Sequence, residues 1–241
     1  MQIVINQSDG QVIRMNFATN GAPDRQASLR VRRLEMVEKQ LRLRGINDER
    51  VIQAMLEVPR EKFVPERLRD SAYDDCALPI EANQTISQPF TVAFMCQAVG
   101  LQGGESVLEV GTGSGYSAAV LACLARNVYS VERVDELFQT ASTRLERLRC
   151  RNVQVKLDDG TLGWQEFGPF DAILVTAGGV QLPEPLGKQL KEGGRLVMPI
   201  GRSRTSQTMY RYIRLGEGFQ REELGRFRFV PLIGTHGWEP N

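Results

Sequence analysis

The second half of the chain alternates short apolar runs with helix-like stretches. Five runs have the length of buried strands: Ser106–Val110, Val128–Val131, Asn152–Leu157, Phe170–Thr176 and Arg195–Pro199. The stretches that favour helices between them are Tyr116–Ala125, Asp135–Leu148 and Pro185–Leu190. Strands that alternate with helices form a parallel sheet with crossover connections. From Leu101 onward the pattern therefore predicts a doubly wound, mostly parallel α/β fold.

Two more strands are expected near the carboxyl end of the chain. Thr208–Leu215 and Phe227–Leu232 are apolar enough for strands, and the turn Gly216-Glu217-Gly218 lies between them. Because these strands have no crossover helix, we expect them to be antiparallel.

The first hundred residues have a different, helical pattern. Apolar residues recur at helical spacing from Ser28 to Arg44, and Gly45 ends the run. Asn47 or Asp48 is the expected cap of a second helix. These features predict a helical cover and a loop over residues 29–100, in front of a sheet over residues 101–235. Residues 1–28 are expected to form an extension, either a hairpin or a loose arm, and residues 236–241 a tail.

Composition excludes several classes of protein. The 241 residues carry 30 basic and 29 acidic side chains, so a net charge of +1 indicates neither nucleic acid nor an anionic membrane as partner. The arginines of the first helix are interrupted by glutamates, which favours a solvated helix face over an RNA-binding one. No signal peptide and no apolar run of membrane-spanning length is present, so we expect a cytoplasmic protein.

The cysteines and the histidine give no metal site. Cys76, Cys96, Cys123 and Cys150 are scattered without a CxxC pair, and His236 is the only histidine. This pattern indicates a reducing compartment and buried apolar cysteines. We therefore predict no metal.

A glycine-rich turn follows the first strand of the sheet. Gly111, Thr112, Gly113, Ser114 and Gly115 give the spacing GxGxG, and Tyr116 stands where a dinucleotide site would need its third glycine. Glu109, two residues earlier, would repel a pyrophosphate but suits a sulfonium or ammonium group. The motif thus favours S-adenosylmethionine over a nicotinamide cofactor.

Acidic residues also follow the next two strands. Glu132 ends the second strand, where a carboxylate can accept both ribose hydroxyls. Asp159 and Gly160 end the third, where the carboxylate could reach the adenine amino group and the glycine could admit the ring. Each acid alone could be a surface charge or a helix cap. Together, Glu109, Glu132 and Asp159 at successive strand ends indicate one cofactor site.

Several segments resemble protein-L-isoaspartate O-methyltransferases, in that family's order, over roughly residues 34–232. The loop Leu78–Pro89, which contains Thr85-Ile86-Ser87-Gln88-Pro89, is the most specific of them. The others are Val58–Pro65, Ala72-Tyr73, Gly111–Tyr116, Asp159-Gly160, Pro169–Ile173, Gln189-Leu190, Gly193–Leu196, Pro199–Gly201 and Phe229–Leu232. The sequence departs from the family at Asn83 and Asp158, where glycine is usual, and at Ala177-Gly178-Gly179.

The resemblance implies a Rossmann-like methyltransferase fold and an S-adenosylmethionine-dependent enzyme. Such an enzyme methylates the α-carboxylate of L-isoaspartyl residues in damaged proteins or peptides, and the β-carboxylate of D-aspartyl residues is a second candidate acceptor. The ester then collapses to a succinimide, which initiates repair. Ser87 matches the family's active-site serine, Thr85, Ile86 and Gln88 shape the substrate loop, and a monomer is implied.

Other interpretations of the chain stay open from sequence alone. Ser87 could instead cap the helix expected over Phe90–Val99. The acceptor could be an aspartate in a dedicated peptide precursor, with the N-terminal extension as docking element. The chain could also be a binding module that keeps the fold without catalysis, or, less consistent with the turn, a nicotinamide-dependent oxidoreductase.

Overall fold

The fold is known from a computed structural model, which describes residues 25–203 and 205–239. Most of the extension expected over residues 1–28 lies outside this range, and its last four residues, 25–28, belong to the first helix. Within it, the chain forms the strands β1 Leu78–Pro79, β2 Thr85–Ile86, β3 Ser106–Val110, β4 Asn127–Glu132, β5 Val153–Leu157, β6 Phe170–Val175, β7 Leu190–Ser203, β8 Ser206–Leu215 and β9 Gly218–Phe227. The α-helices are α1 Arg25–Met36, α2 Glu49–Glu57, α3 Pro89–Val99, α4 Tyr116–Leu124, α5 Asp135–Arg147 and α6 Glu184–Lys188.

Seven strands form one sheet in the order β5-β4-β3-β6-β7-β8-β9. The strands β3 to β7 are parallel, whereas β8 and β9 are antiparallel. The chain first adds strands on one side of β3 and then crosses to the other side with β6. The doubly wound, mostly parallel sheet and its antiparallel finish are therefore confirmed, and the order reverses between β3 and β6.

The central strands are apolar because both faces of the sheet are covered. Val107 belongs to the apolar cluster that includes the helical cover, whereas Leu108 and Val110 belong to the cluster on the opposite face. All three are at most 1% exposed. Burial on both faces gives continuous apolar runs, which is why the strand positions were visible in the sequence.

The N-terminal cover is helical, as expected. Helix α1 continues into a π-helical turn, Val37–Leu41, and a 3₁₀ turn, Arg42–Arg44, before Gly45 ends the run in the left-handed conformation at φ 91°. The Asp48 carboxylate caps α2 by accepting from the amide of Arg50 at 2.9 Å. Helix α3 contacts β6 and β7 and so fixes this cover against the sheet.

The predicted last strand is misplaced. We expected it at Phe227–Leu232, but β9 follows the Gly216-Glu217-Gly218 turn at once and pairs with β8 from Leu215↔Gly218 to Gln207↔Phe227. Most of β9 is exposed at the edge of the sheet, so it lacks the apolar pattern of a buried strand. Beyond β9, the chain leaves the sheet, and Pro231 forms only an isolated bridge with Gly178.

The cysteines also differ from expectation. Only Cys96 is buried, because it lies on the inner side of α3, whereas Cys76 and Cys123 are exposed and Cys150 is intermediate. All four thiols are free. In the described residues, no cluster of three or more His, Cys, Asp or Glu side chains is arranged to bind a metal, and no helix could span a membrane.

Removing the cap of α2 should destabilise the protein. We expect Asp48→Ala to lower the free energy of unfolding by about 1 kcal/mol, because two amides at the helix start lose their acceptor. Asp48→Asn retains a capping oxygen and should stay close to the wild type. Urea unfolding measures both, and equal stability of the two variants would contradict the capping role.

Candidate active site

A cavity opens where the strand order reverses, at the carboxyl ends of β3, β4 and β6. Its volume is about 1100 Å³, including the part open to solvent. Crevices of this position and size are the usual ligand sites of doubly wound sheets. Four residues of the glycine-rich turn line it, Gly111, Thr112, Gly113 and Ser114, whereas Gly115 does not. Glu132 and Gly160 also line it.

The turn after β3 needs its glycines for their backbone conformation. Gly111, Gly113 and Gly115 have φ values of 96°, 55° and 87°, which side chains with a Cβ rarely adopt. A Cβ on Gly111 would also lie 2.4 Å from Oγ1 of Thr176. The Thr176 hydroxyl donates to the Gly111 carbonyl at 2.7 Å, so the turn is held against the end of β6.

Glu132 ties the turn to the next strand. Its carboxylate accepts from the amide of Gly113 at 2.9 Å and from the amides of Arg133 and Val134 at 2.9 and 3.0 Å. The side chain is buried to 5% exposure and lines the cavity. It therefore lies where the sequence placed a ribose acceptor, and it also fixes the turn.

Glu109 lies beneath the turn and does not line the cavity. Its side chain is fully buried and accepts from Oγ of Ser130 at 2.5 Å. The Thr112 hydroxyl lies 2.6 Å from the same Ser130 oxygen. Oε1 of Glu109 has no hydrogen-bond partner among the described residues. The Glu109 carboxyl is thus linked by hydrogen bonds through the Ser130 and Thr112 hydroxyls to the cavity wall.

Asp159 and Gly160 have different surroundings. Gly160 lines the cavity, and a Cβ there would lie 2.6 Å from Cγ1 of Val110, so only glycine fits. The Asp159 carboxylate does not line it. One oxygen accepts from the amide and hydroxyl of Thr161, and the other accepts from the amide of Thr235 at 2.7 Å. These hydrogen bonds lower the pKa of Asp159, although partial burial opposes them.

The loop expected to bind substrate is a small hairpin. Strands β1 and β2 pair antiparallel, from Leu78↔Ile86 to Pro79↔Thr85. Asn83, where the family usually has glycine, has φ 56° in the connection, a conformation that asparagine tolerates better than most residues. The hairpin directs Thr85, Ile86 and Ser87 to the mouth of the cavity, which all three line.

A second cleft lies on the other side of this hairpin. Thr85 and Ser87 line both cavities, as do Thr176 and Val230, whereas Gln88 lines only the second. Gln88 Nε2 donates to the Asp75 carboxylate at 2.7 Å, which anchors the loop. Among the described residues, the Ser87 hydroxyl has no hydrogen-bond partner. Helix α3 begins after Gln88 and has no side-chain cap, so Ser87 is not its N-cap.

Sequence reasoning missed one wall of the site. Val230, Pro231, Leu232 and Ile233 line the first cavity after the chain leaves β9. The indole N–H of Trp238 donates to the Gly178 carbonyl at 2.9 Å and holds this C-terminal segment against the sheet. The sequence predicted Phe229–Leu232 as part of a strand and as a family motif, but nothing in its local pattern shows that it lines a cavity.

The cavity is suited to S-adenosylmethionine. Gly113 lines the cavity with open space at the position of a Cβ, and Glu132 offers carboxylate oxygens at the cavity wall. Gly160 lines the cavity and packs so closely on Val110 that no side chain fits there. Glu109 keeps an unpaired, buried oxygen beneath the turn. Sheet topology, turn and acids together define the class of S-adenosylmethionine-dependent methyltransferases.

Comparison with known proteins defines the family within this class. The model of the protein-L-isoaspartate(D-aspartate) O-methyltransferase family matches residues 32–237, and the chain belongs to that family. A protein-L-isoaspartate O-methyltransferase of Rhodopseudomonas palustris is 53% identical over 205 residues, 85% of this chain and 94% of that protein. One of Dictyoglomus thermophilum is 52% identical over 195 residues, 81% of this chain and 88% of that protein.

Solved structures agree with this assignment. A protein-L-isoaspartate O-methyltransferase superposes with a TM-score of 0.77 at 34% identity, covering 85% of this chain and 67% of that one. A Plasmodium falciparum beta-aspartate methyltransferase, solved with S-adenosyl-L-homocysteine, gives 0.72 at 29% identity, covering 83% and 97%. The chain is thus an S-adenosylmethionine-dependent enzyme of this family.

Glu109 should make stability depend on pH. Burial raises its pKa to about 7 from 4.5, although the hydrogen bond from Ser130 lowers it. The folded protein therefore binds this proton more tightly than the unfolded chain. The resulting stability is complete below pH 4.5 and is lost as the pH rises through about 7, a change on the order of 3 kcal/mol.

The variant Glu109→Gln tests this link. We expect the free energy of unfolding of the wild type to fall, relative to the variant, between pH 5 and pH 8, as measured by urea titration at each pH. Glu136→Gln removes an exposed carboxyl on α5 and controls for the lost charge. A constant difference between wild type and Glu109→Gln over this range would show that Glu109 does not carry the proton.

Proposed function

We propose that this enzyme transfers a methyl group from S-adenosylmethionine to the α-carboxylate of L-isoaspartyl residues, and to the β-carboxylate of D-aspartyl residues, in damaged proteins and peptides. The observation that carries the proposal is the wall that the two cavities share, formed by Thr85, Ser87, Thr176 and Val230. A cofactor in the first cavity and a peptide in the second would meet there.

The shared wall needs no general base for this chemistry. S-adenosylmethionine, when bound, supplies an electrophilic methyl group on a sulfonium centre. A carboxylate with a pKa of about 4 is already ionised at neutral pH and can attack directly. The four residues of the wall include no titratable side chain, which agrees with a reaction that requires no proton transfer. Catalysis then depends on orientation and on the exclusion of water.

Ser87 is the residue placed to orient the acceptor. Its hydroxyl has no partner among the described residues and lies at the junction of both cavities. It can donate a hydrogen bond to one carboxylate oxygen and leave the other free to attack. Ile86 is buried and fixes the backbone on one side, while Gln88, bound to Asp75, fixes it on the other. Thr85 is exposed and can contact the peptide.

The cofactor residues have distinct roles in this proposal. Glu132 accepts the ribose hydroxyls with the lone pairs that its backbone contacts leave free, and Gly111, Thr112, Gly113 and Ser114 surround the methionine part. Gly160 admits the adenine.

Other residues support the site without lining it. Asp159 supports the adenine side of the cavity through Thr161 and Thr235, and Glu109 sets the charge beneath the turn. Gly115 starts α4 in the left-handed conformation.

The wider setting is part of the same proposal. Altered backbone linkages arise in many proteins, so the acceptors would be diverse flexible segments that can enter the open second cleft. The methyl ester would then collapse to a succinimide without the enzyme and reopen partly as normal aspartate. The near-neutral composition supports partners other than nucleic acid or membrane, the free thiols support the cytoplasm, and the family supports a monomer.

Paired peptides test the acceptor. We expect base-labile label from methyl-labelled S-adenosylmethionine on a peptide with one isoaspartyl linkage, and none on the same peptide with an ordinary aspartyl linkage. A third peptide with D-aspartate tests the second acceptor. If no peptide is labelled although S-adenosylhomocysteine binds, the proposal fails, and a dedicated precursor becomes the better explanation.

Ser87→Ala tests the role of the hydroxyl. Loss of one hydrogen bond to a charged group, about 1.5 to 3 kcal/mol, should lower kcat/KM for the isoaspartyl peptide by roughly 10- to 100-fold. The affinity for S-adenosylhomocysteine, measured by calorimetry, should stay within about twofold. Ser142→Ala, on α5 and outside both cavities, is the matched control. Unchanged turnover, or a large loss of cofactor affinity, would contradict the assignment.

A further inference from the structure

The charged residues that line the second cleft are all positive. Arg44, Arg226 and Arg228 are among the described residues that line it, and none of those lining residues is acidic. The whole chain carries a formal net charge of only +1, so this concentration is local. A peptide that enters the cleft therefore meets a positive wall.

Two of these cations have no neutralising partner within residues 25–203 and 205–239. Arg44 is paired with Asp75 at 3.1 Å and lies over the Phe90 ring, 3.8 Å from its centroid. Arg226 and Arg228, in contrast, are exposed and form no ion pair within the described part of the chain. They are the groups available to a ligand.

The chain around these arginines is anchored by aromatic residues. Phe227 packs on Phe94 with ring centroids 5.1 Å apart, and the Phe229 amide donates to Gln207 at 2.9 Å. The rings of Phe227 and Phe229 lie 6.5 Å apart, which is the spacing of side chains on one side of an extended chain. Arg226 and Arg228 occupy the alternate positions and are exposed.

The arginines also lead to the shared wall. Val230 follows Arg228 by two residues and lines both cavities. At roughly 3.3 Å per residue of extended chain, Arg228 and Arg226 lie about 7 and 13 Å along the backbone from Val230. In an extended bound peptide, the residues two and four positions from the reacting residue would lie at about the same distances from the shared wall.

We infer that Arg226 and Arg228 select substrates with acidic side chains two to four residues from the isoaspartyl site. The inference rests on the proposed function, since it places the reacting carboxylate at the shared wall. Neither arginine belongs to that wall, so the effect belongs to peptide binding and should change KM rather than kcat. Exposed ion pairs are weak, so each arginine should give about a two- to fivefold preference. Salt should weaken it.

The test uses the full chain and two sets of three isoaspartyl peptides. Within a set, the peptides differ only in having glutamate, glutamine or lysine at the second and fourth flanking positions, and the two sets are varied on opposite sides of the isoaspartyl residue. We expect kcat/KM to be highest for the glutamate peptide and lowest for the lysine peptide at low salt. In the double variant Arg226→Gln and Arg228→Gln the three values within each set should converge.

Two further variants isolate the cause. Arg226→Lys with Arg228→Lys keeps the charges and should restore most of the preference. Arg221→Gln, an exposed arginine of β9 that lies beside Tyr210 and outside both cavities, should leave it unchanged. Equal rates for the three peptides of both sets with the wild type, or an unchanged ranking in the double glutamine variant, would overturn this inference alone. Failure to methylate any isoaspartyl peptide would instead overturn the proposed function.

Discussion

The rest of the structure depends on the reversal of the chain after β3. Gly111, Gly113 and Gly115 adopt backbone conformations that other residues rarely reach, and this lets the chain turn tightly at the point where the strand order of the sheet reverses. Glu132 then binds the amide of Gly113, and Thr176 binds the carbonyl of Gly111. The turn is thereby fixed between the ends of β4 and β6, and the cavity it borders has rigid walls on both sides.

Segments far apart in the sequence complete the site around this turn. The hairpin of β1 and β2 approaches from the N-terminal cover, and its Glu81 is held to Arg144 of α5 by an ion pair of 3.0 Å. The segment after β9 approaches from the opposite end of the chain and is tied to the cofactor wall through Asp159 and Thr235. Because both segments contribute to the wall at Ser87, the two cavities meet at one place. This arrangement places two adjoining cavities on either side of the hairpin.

Much of the fold was predictable because buried parallel strands have a strong local signal. Ser106–Val110 was placed correctly to the residue, and of the two caps expected from the sequence, Asn47 or Asp48, the structure has Asp48. The strand β9 was missed because an exposed edge strand has no such period. Gly111, Thr112, Gly113, Ser114, Glu132 and Gly160 line one cavity, and their contacts with the cofactor stay a prediction. In contrast, the partners of Asp159 and the burial of Glu109 depend on contacts between distant segments, which a local pattern cannot encode.

The central claim is that cofactor and acceptor meet at the wall shared by the two cavities. The most direct measurement is a crystal structure of the protein with S-adenosylhomocysteine and an isoaspartyl peptide. We expect the ribose hydroxyls to donate hydrogen bonds to the Glu132 carboxylate and the sulfur to lie beside the glycine turn. We expect the peptide carboxylate within hydrogen-bond distance of the Ser87 hydroxyl. A peptide bound away from Ser87, or a cofactor outside the cavity at the end of β3, would contradict it.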